Sequence, residues 1–268
     1  MKRYSHYLGA IGTSCLVVAV LWVLPEEVSL FLNIPGLFLV IGGTIIATCV
    51  SRRRRHVVSV LRSLPALVFN KKNPSNLNAK VDRFLGTAES YRRSRIRMTE
   101  EMAARIGDGF AQSGIALVVD RVEPAEMNKI FQWRINAIAS AEQAKIQVVK
   151  TMANFAPALG MLGTLVAMVH MLYGLESADI NEIGRSMAFA MITTLYGIII
   201  SNLICKPLAI KMEQALQQKM LVLNMWVEGI NGMAAKRHPQ LIREAMDTFL
   251  MQNEQYEAEV PALVLATN

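Results

Sequence analysis

The stretch from Met152 to Leu175 reads MANFAPALGMLGTLVAMVHMLYGL, and its composition decides what kind of fold the chain can adopt. It holds no Asp, Glu, Lys or Arg, over a length close to the roughly 20 apolar residues that a helical bilayer crossing needs. Three further apolar stretches are Leu8 to Leu24 and Leu30 to Val50, both free of charge, and Ile183 to Cys205, charged only at Arg185. The polar turn Pro25, Glu26, Glu27 separates the first two, and a short loop with Glu176, Asp179 and Glu182 separates the last two. Only 18% of the residues are charged, whereas a soluble domain carries about a quarter, and the charges crowd between the apolar stretches. The sequence therefore predicts an all-α integral membrane protein with four transmembrane helices. Lys2 and Arg3 before the first segment also suit a signal peptide, but no small-x-small cleavage site follows and a second apolar segment comes at once.

Lys and Arg gather between the second and third spans and again after the fourth. The positive-inside rule puts both segments, and the N-terminus, on the cytoplasmic side, with the two short loops facing the periplasm. The expected organisation is residues 1–50 for the first two spans, 51–151 for a large helical cytoplasmic domain, 152–205 for the last two spans, and 206–268 for a cytoplasmic C-terminal helical tail. The net charge of +7 and the run Arg52, Arg53, Arg54, Arg55 raise the question of nucleic acid. The run begins where an apolar stretch ends, as a cationic anchor against membrane lipid does. No zinc-finger spacing or aromatic interleaving supports a nucleic-acid partner. Cys15, Cys49 and Cys205 show no CxxC spacing and read as small hydrophobes, with no metal site or disulfide framework.

The soluble part reads as helical. His56 to Phe69 is amphipathic and suits a helix lying on the membrane surface, while Lys71 to Asn78 has the Pro and Asn content of a loop. Glu123 followed by Pro124 marks a helix start, and no breaker intervenes before Pro157. One helix is thus expected to run from the cytoplasmic segment into the third span, linking the two mechanically.

Within the spans there is no Asp, Glu or Lys, and His170 is the ionisable group well inside. A cation crossing hydrocarbon needs a carboxylate or a set of oxygen ligands, so an ion path built on this chain requires a carboxylate from a partner. The spans do hold small and hydroxyl residues at helical spacing: Pro157, Gly160, Gly163, Thr164 and Ala167 in the third, Ser186, Ala190, Thr193, Thr194, Gly197 and Ser201 in the fourth. Close helix packing accounts for small faces, but alanine would pack as closely as threonine. Thr164, Thr193 and Thr194, with Pro157 and Gly160, are therefore candidate ion-path residues. Pro157 deprives the Ala153 carbonyl of its helical amide and Pro207 does the same to Leu203, which makes the two prolines candidate coupling hinges. No nucleophile, metal or phosphate-loop motif suggests an enzyme or a resident cofactor.

On these residues the chain resembles the MotA/PomA family of flagellar stator subunits, within the MotA/TolQ/ExbB superfamily. The carriers are APALGMLGTLVAMVHML from Ala156, SMAFAMITTLYGIIISNLICKPLA from Ser186 and IPGLFLVIGGT from Ile34. Ala116 to Asp120, Glu123 to Met127 and His238 to Met246 are also similar to family segments, so the likeness covers nearly the whole chain up to about Gln252. The resemblance implies a homopentamer around a MotB/PomB-type single-span partner that carries the ion-binding Asp, and torque delivered to the rotor switch protein FliG. It also implies rotor-facing charges eight residues apart, which match Arg92 and Glu100, with Arg93 as the alternative to Arg92. The segment RIRMT from Arg95 to Thr99 departs from the family's glycine and apolar pattern. Threonine at 164, 193 and 194 matches sodium-driven more than proton-driven relatives, so Na+ is the expected ion and H+ the alternative. An ExbB/TolQ-like subunit is the nearest rival, but those proteins have three spans. A self-contained transporter would show an internal repeat or its own intramembrane charge.

Overall fold

A computed structural model of the chain describes residues 33–69, 77–94, 96–174 and 180–266. The first expected span, Leu8 to Leu24, lies outside the described residues, as do most of the expected 71–78 loop and the loop acids Glu176 and Asp179. The described elements are helices: α1 (Ile34–Ser51), α2 (Arg54–Phe69), α3 (Leu77–Arg92), α4 (Ile96–Ala104), α5 (Gly109–Val119), α6 (Pro124–Gly174), α7 (Ile180–Ile199), α8 (Lys206–Ala234) and α9 (Pro239–Ala266). A π-helical turn, Ile200–Cys205, joins α7 to α8. Three of the described stretches are long and apolar enough to cross a membrane: α1, a part of α6, and a part of the run from Ile180 to Ala234. Leu77 and Asn78, expected in a loop, open α3 instead.

The chain divides into two compact units. One takes the residues up to Val68 with Ala144–Met212, the other Phe69–Gln143 with the residues from Glu213 onward.

In the first unit, α1 starts where Asn33 caps it, its side chain accepting the Gly36 amide at 3.1 Å with Pro35 in the first turn. The Asn33 amide in turn donates to the Tyr196 hydroxyl of α7 at 2.9 Å. Gly36, Val40, Thr44 and Thr48 recur every fourth residue and form the buried face of α1. Two of these are hydroxyls, and each satisfies itself locally: Thr44 donates to the Val40 carbonyl at 2.6 Å and Thr48 to the Thr44 carbonyl at 2.7 Å. After Ser51 the backbone becomes extended at Arg52, whose guanidinium reaches the Thr151 hydroxyl of α6 at 3.2 Å. The four arginines at 52–55 are exposed, and α2 then buries Val57 and Val60.

The second unit has its own core, with Phe84 of α3, Ile115 of α5, Phe131 of α6, Trp226 and Ile230 of α8, and Met246 of α9 all buried. Phe84 and Trp226 meet edge to face at 5.5 Å. The segment after residue 206 is therefore more than a tail, since its helices contribute much of this core. The turn from α5 to α6 is closed by Arg121 in the left-handed region (φ 55°), with the Val122 amide bonded to the Leu117 carbonyl and the Arg121 amide to that of Val118. Pro124 then opens α6, which continues unbroken through Pro157 to Gly174, as the sequence predicts.

Candidate functional site

The third and fourth spans meet at a crossing built by glycine. A Cβ on Gly160 of α6 would lie 2.9 Å from the Thr193 carbonyl and 3.1 Å from the Thr194 Cα. One on Gly163 would lie 2.7 Å from the Thr193 hydroxyl, and one on Gly197 of α7 would lie 2.6 Å from the Ala156 carbonyl and 3.2 Å from the Pro157 Cα. Real Cβ atoms essentially never come within 3.0 Å of such neighbours, and each of the three glycines would place one there, so the close approach of the backbones depends on the missing side chains. Pro157, Gly160, Thr193 and Thr194 are thereby brought to one crossing, whereas Thr164 lies one turn beyond Gly160 on α6.

The three threonines differ in environment. Thr193 is fully buried, walled by Gly163 of α6 and by Gly36 of α1, and donates its hydroxyl to the Ala190 carbonyl at 2.8 Å. Thr164 keeps part of its surface exposed and donates to the Met161 carbonyl at 2.6 Å. Thr194 is half-buried, and its hydroxyl reaches across to the Gly160 carbonyl at 3.5 Å, the outer limit of a hydrogen bond. A hydroxyl that donates its proton to a carbonyl still presents oxygen lone pairs. Thr164 and Thr194 combine such an oxygen with accessible surface, while Thr193 has the oxygen without the access.

The prolines are accommodated in two ways. The Ala153 carbonyl, which Pro157 leaves without an amide, accepts a hydrogen bond from Ser201 of the π turn at 2.7 Å. Ahead of Pro207 the ladder shifts to the wider π spacing, with the Lys206 amide bonded to the Ser201 carbonyl. The fourth span thus passes into α8 without ending at Cys205. Cys205, the last residue of that turn, is buried. At the opposite end of α6 and α7, His170, Tyr173, Glu182, Arg185 and Ser186 share an open cleft of about 510 Å³. The sequence offers His170 no ionisable partner in the interior of the spans, and Glu182 and Arg185 line the same cleft.

The candidate rotor-facing charges fall on two helices. Arg92 closes α3 and Arg93 follows it, Ser94 adopts the left-handed conformation (φ 60°), and Glu100 sits on α4. Both arginines turn to Glu89: Arg92 Nε lies 3.1 Å from it and Arg93 Nε 2.8 Å. Hydrogen bonds first from Arg92 and then from Arg93 hold the Glu89 carboxyl below its usual range. Sequence reasoning missed Glu89, although its spacing of three and four residues from the arginines is the helical ion-pair signal. Glu100 is exposed and makes no ion pair among the described residues.

Comparison with known proteins bears on what this arrangement serves. Residues 102–225 match the MotA/TolQ/ExbB proton channel family. The chain is 29% identical over 227 residues to Motility protein A of Borreliella burgdorferi, covering 84% of this chain and 85% of that protein. It is 27% identical over 248 residues to the chemotaxis protein PomA of Vibrio alginolyticus, covering 92% and 95%. The fold is similar to a solved structure of C. jejuni MotAB, with a TM-score of 0.79 at 14% identity over 93% of this chain and 96% of that one.

Proposed function

We propose that this chain, which belongs to the MotA/PomA family, is the subunit of a flagellar stator that shapes an ion path but does not carry the ion-binding acid. The observation that supports this most directly is the pairing of a glycine-built crossing, edged by threonine hydroxyls, with spans that contain no carboxylate. An ion leaving water needs oxygen ligands and a compensating charge. Thr164 and Thr194 supply oxygens, and the charge comes from the aspartate of a MotB/PomB-type single-span partner. Relatives named Motility protein A and PomA cover most of the chain, which favours this reading over an ExbB/TolQ-like subunit.

The finer reading is a homopentamer in the inner membrane, each subunit with four spans and both termini in the cytoplasm. The pentamer surrounds the partner, and the segment from α3 to α5 turns Arg92, Arg93 and Glu100 toward the rotor switch protein FliG. The transported ion is Na+ in preference to H+: a sodium ion must exchange shed waters for oxygens, whereas a proton can travel along a water chain. One charge crossing about 100 mV releases roughly 2.3 kcal/mol to drive the motion.

The test is reconstitution. In liposomes the chain alone carries no cation current, and co-reconstitution with a partner bearing a span aspartate produces one. Swimming speed in cells that depend on this chain then follows external sodium and resists a protonophore. Robust conduction by the chain alone would contradict the proposal, and speed that ignores sodium but collapses with protonophore would assign the path to H+.

A further inference from the structure

We propose that Ser201 is a positioning residue of the ion path: its hydroxyl replaces the amide that Pro157 lacks and so sets how α6 and α7 cross. In an unbroken helix the residue at 157 would donate to the Ala153 carbonyl, and a proline there has nothing to donate. Ala153 is buried, and a buried carbonyl left unmet carries its full desolvation penalty. Inside a membrane a neighbouring Ser or Thr is the available remedy. Ser201 is 1% exposed and donates to that oxygen at 2.7 Å from the other helix.

Two further features make this bond part of the crossing. Gly197, four residues before Ser201 and so on the same face of the helix, is where an added Cβ would lie 2.6 Å from the Ala156 carbonyl and 3.2 Å from the Pro157 Cα. Ser201 also lies in the π turn, where its own carbonyl accepts the Lys206 amide. One residue thus donates to the carbonyl orphaned by Pro157 and accepts within the widened turn that precedes Pro207. An ordinary intrahelical bond at 153 would leave α6 and α7 to be held there by packing alone. The bond from Ser201 ties them at a defined register, next to Gly160, Thr193 and Thr194.

The role in ion passage rests on the stator reading, while the bond itself does not, so two measurements separate them. The first is a double-mutant cycle on the full-length protein in detergent. Ser201→Ala lowers the thermal midpoint by roughly 2–8 °C, and Ser201→Thr, which keeps the hydroxyl, does not. Pro157→Ala returns an amide to Ala153, so adding Ser201→Ala in that background costs little. An equal loss in both backgrounds would overturn the bond as the role of Ser201. The second measurement is swimming speed against the concentration of the driving ion, at matched membrane levels. Ser201→Ala shifts the half-saturating concentration severalfold and Ser201→Thr restores it. Coupling in the cycle with an unchanged half-saturating concentration would make Ser201 structural only and overturn the positioning claim. Motility that never depends on this chain would defeat the stator reading, with the cycle still deciding the bond.

Discussion

Thr193 and Thr194 are neighbours in sequence with opposite surroundings, one fully enclosed and the other half-buried beside the Gly160 carbonyl. Composition marks both as hydroxyls in an apolar run, but only the register of α6 against α7 assigns one to packing and leaves the other accessible. The glycines divide in the same manner. Gly42 and Gly43 look alike in the sequence, yet a Cβ on Gly42 meets only Phe38 of its own helix at 3.9 Å, whereas Gly197 faces the backbone of α6. Gly197→Ala is therefore expected to destabilise the protein by about 1–3 kcal/mol through overpacking. Gly42→Ala should stay within roughly 0.5 kcal/mol. Thermal unfolding of the purified protein distinguishes the two, and equal effects would mean that the crossing is looser than described. Glu89 was readable as well, since helical ion pairs depend only on local spacing. Ser201 was not readable as the partner of Ala153, because 48 residues separate them and nothing local signals the contact.

Among the elements, the long apolar helices were the most legible part, because a bilayer imposes both their length and their freedom from charge. The start of α6 at Pro124 was also legible, since proline at the first helical position loses no bond that the helix would have made. The π turn was not, because ISNLIC contains no residue that prefers the wider spacing, and only Pro207 hints at an irregularity. Helix ends carry a further testable feature. Arg121 and Lys236 occupy left-handed positions (φ 55° and 50°) where α5 and α8 stop, each followed by the paired bonds of a Schellman closure. Glycine reaches this conformation without the Cβ conflict. Lys236→Gly is expected to stabilise the second unit by roughly 0.5–1 kcal/mol, read as a higher denaturation midpoint. A lower midpoint would show that the lysine side chain contributes more than its backbone costs.

At the scale of the whole molecule, two compact units share the chain, and the chain passes between them at the end of α2 and inside the continuous helices α6 and α8. Sequence reading separates membrane-length segments from charged ones, but it treats the region after 206 as a tail. Trp226, Ile230 and Met246 place that region in the core of the second unit instead. Their apolar periodicity looks the same whether a helix packs on its own chain or on a partner, so the pattern alone could not choose. Topology, by contrast, has a chemical marker already in place. Between α1 and α2 the backbone opens at Arg52, and all four arginines there are exposed. Trypsin needs an accessible, locally extended basic residue, and this junction offers several in a row. Inverted membrane vesicles should be nicked at this junction and sealed spheroplasts spared, so a fragment pattern on a gel reports which compartment the junction faces. Cleavage in intact spheroplasts would reverse the orientation proposed for every span.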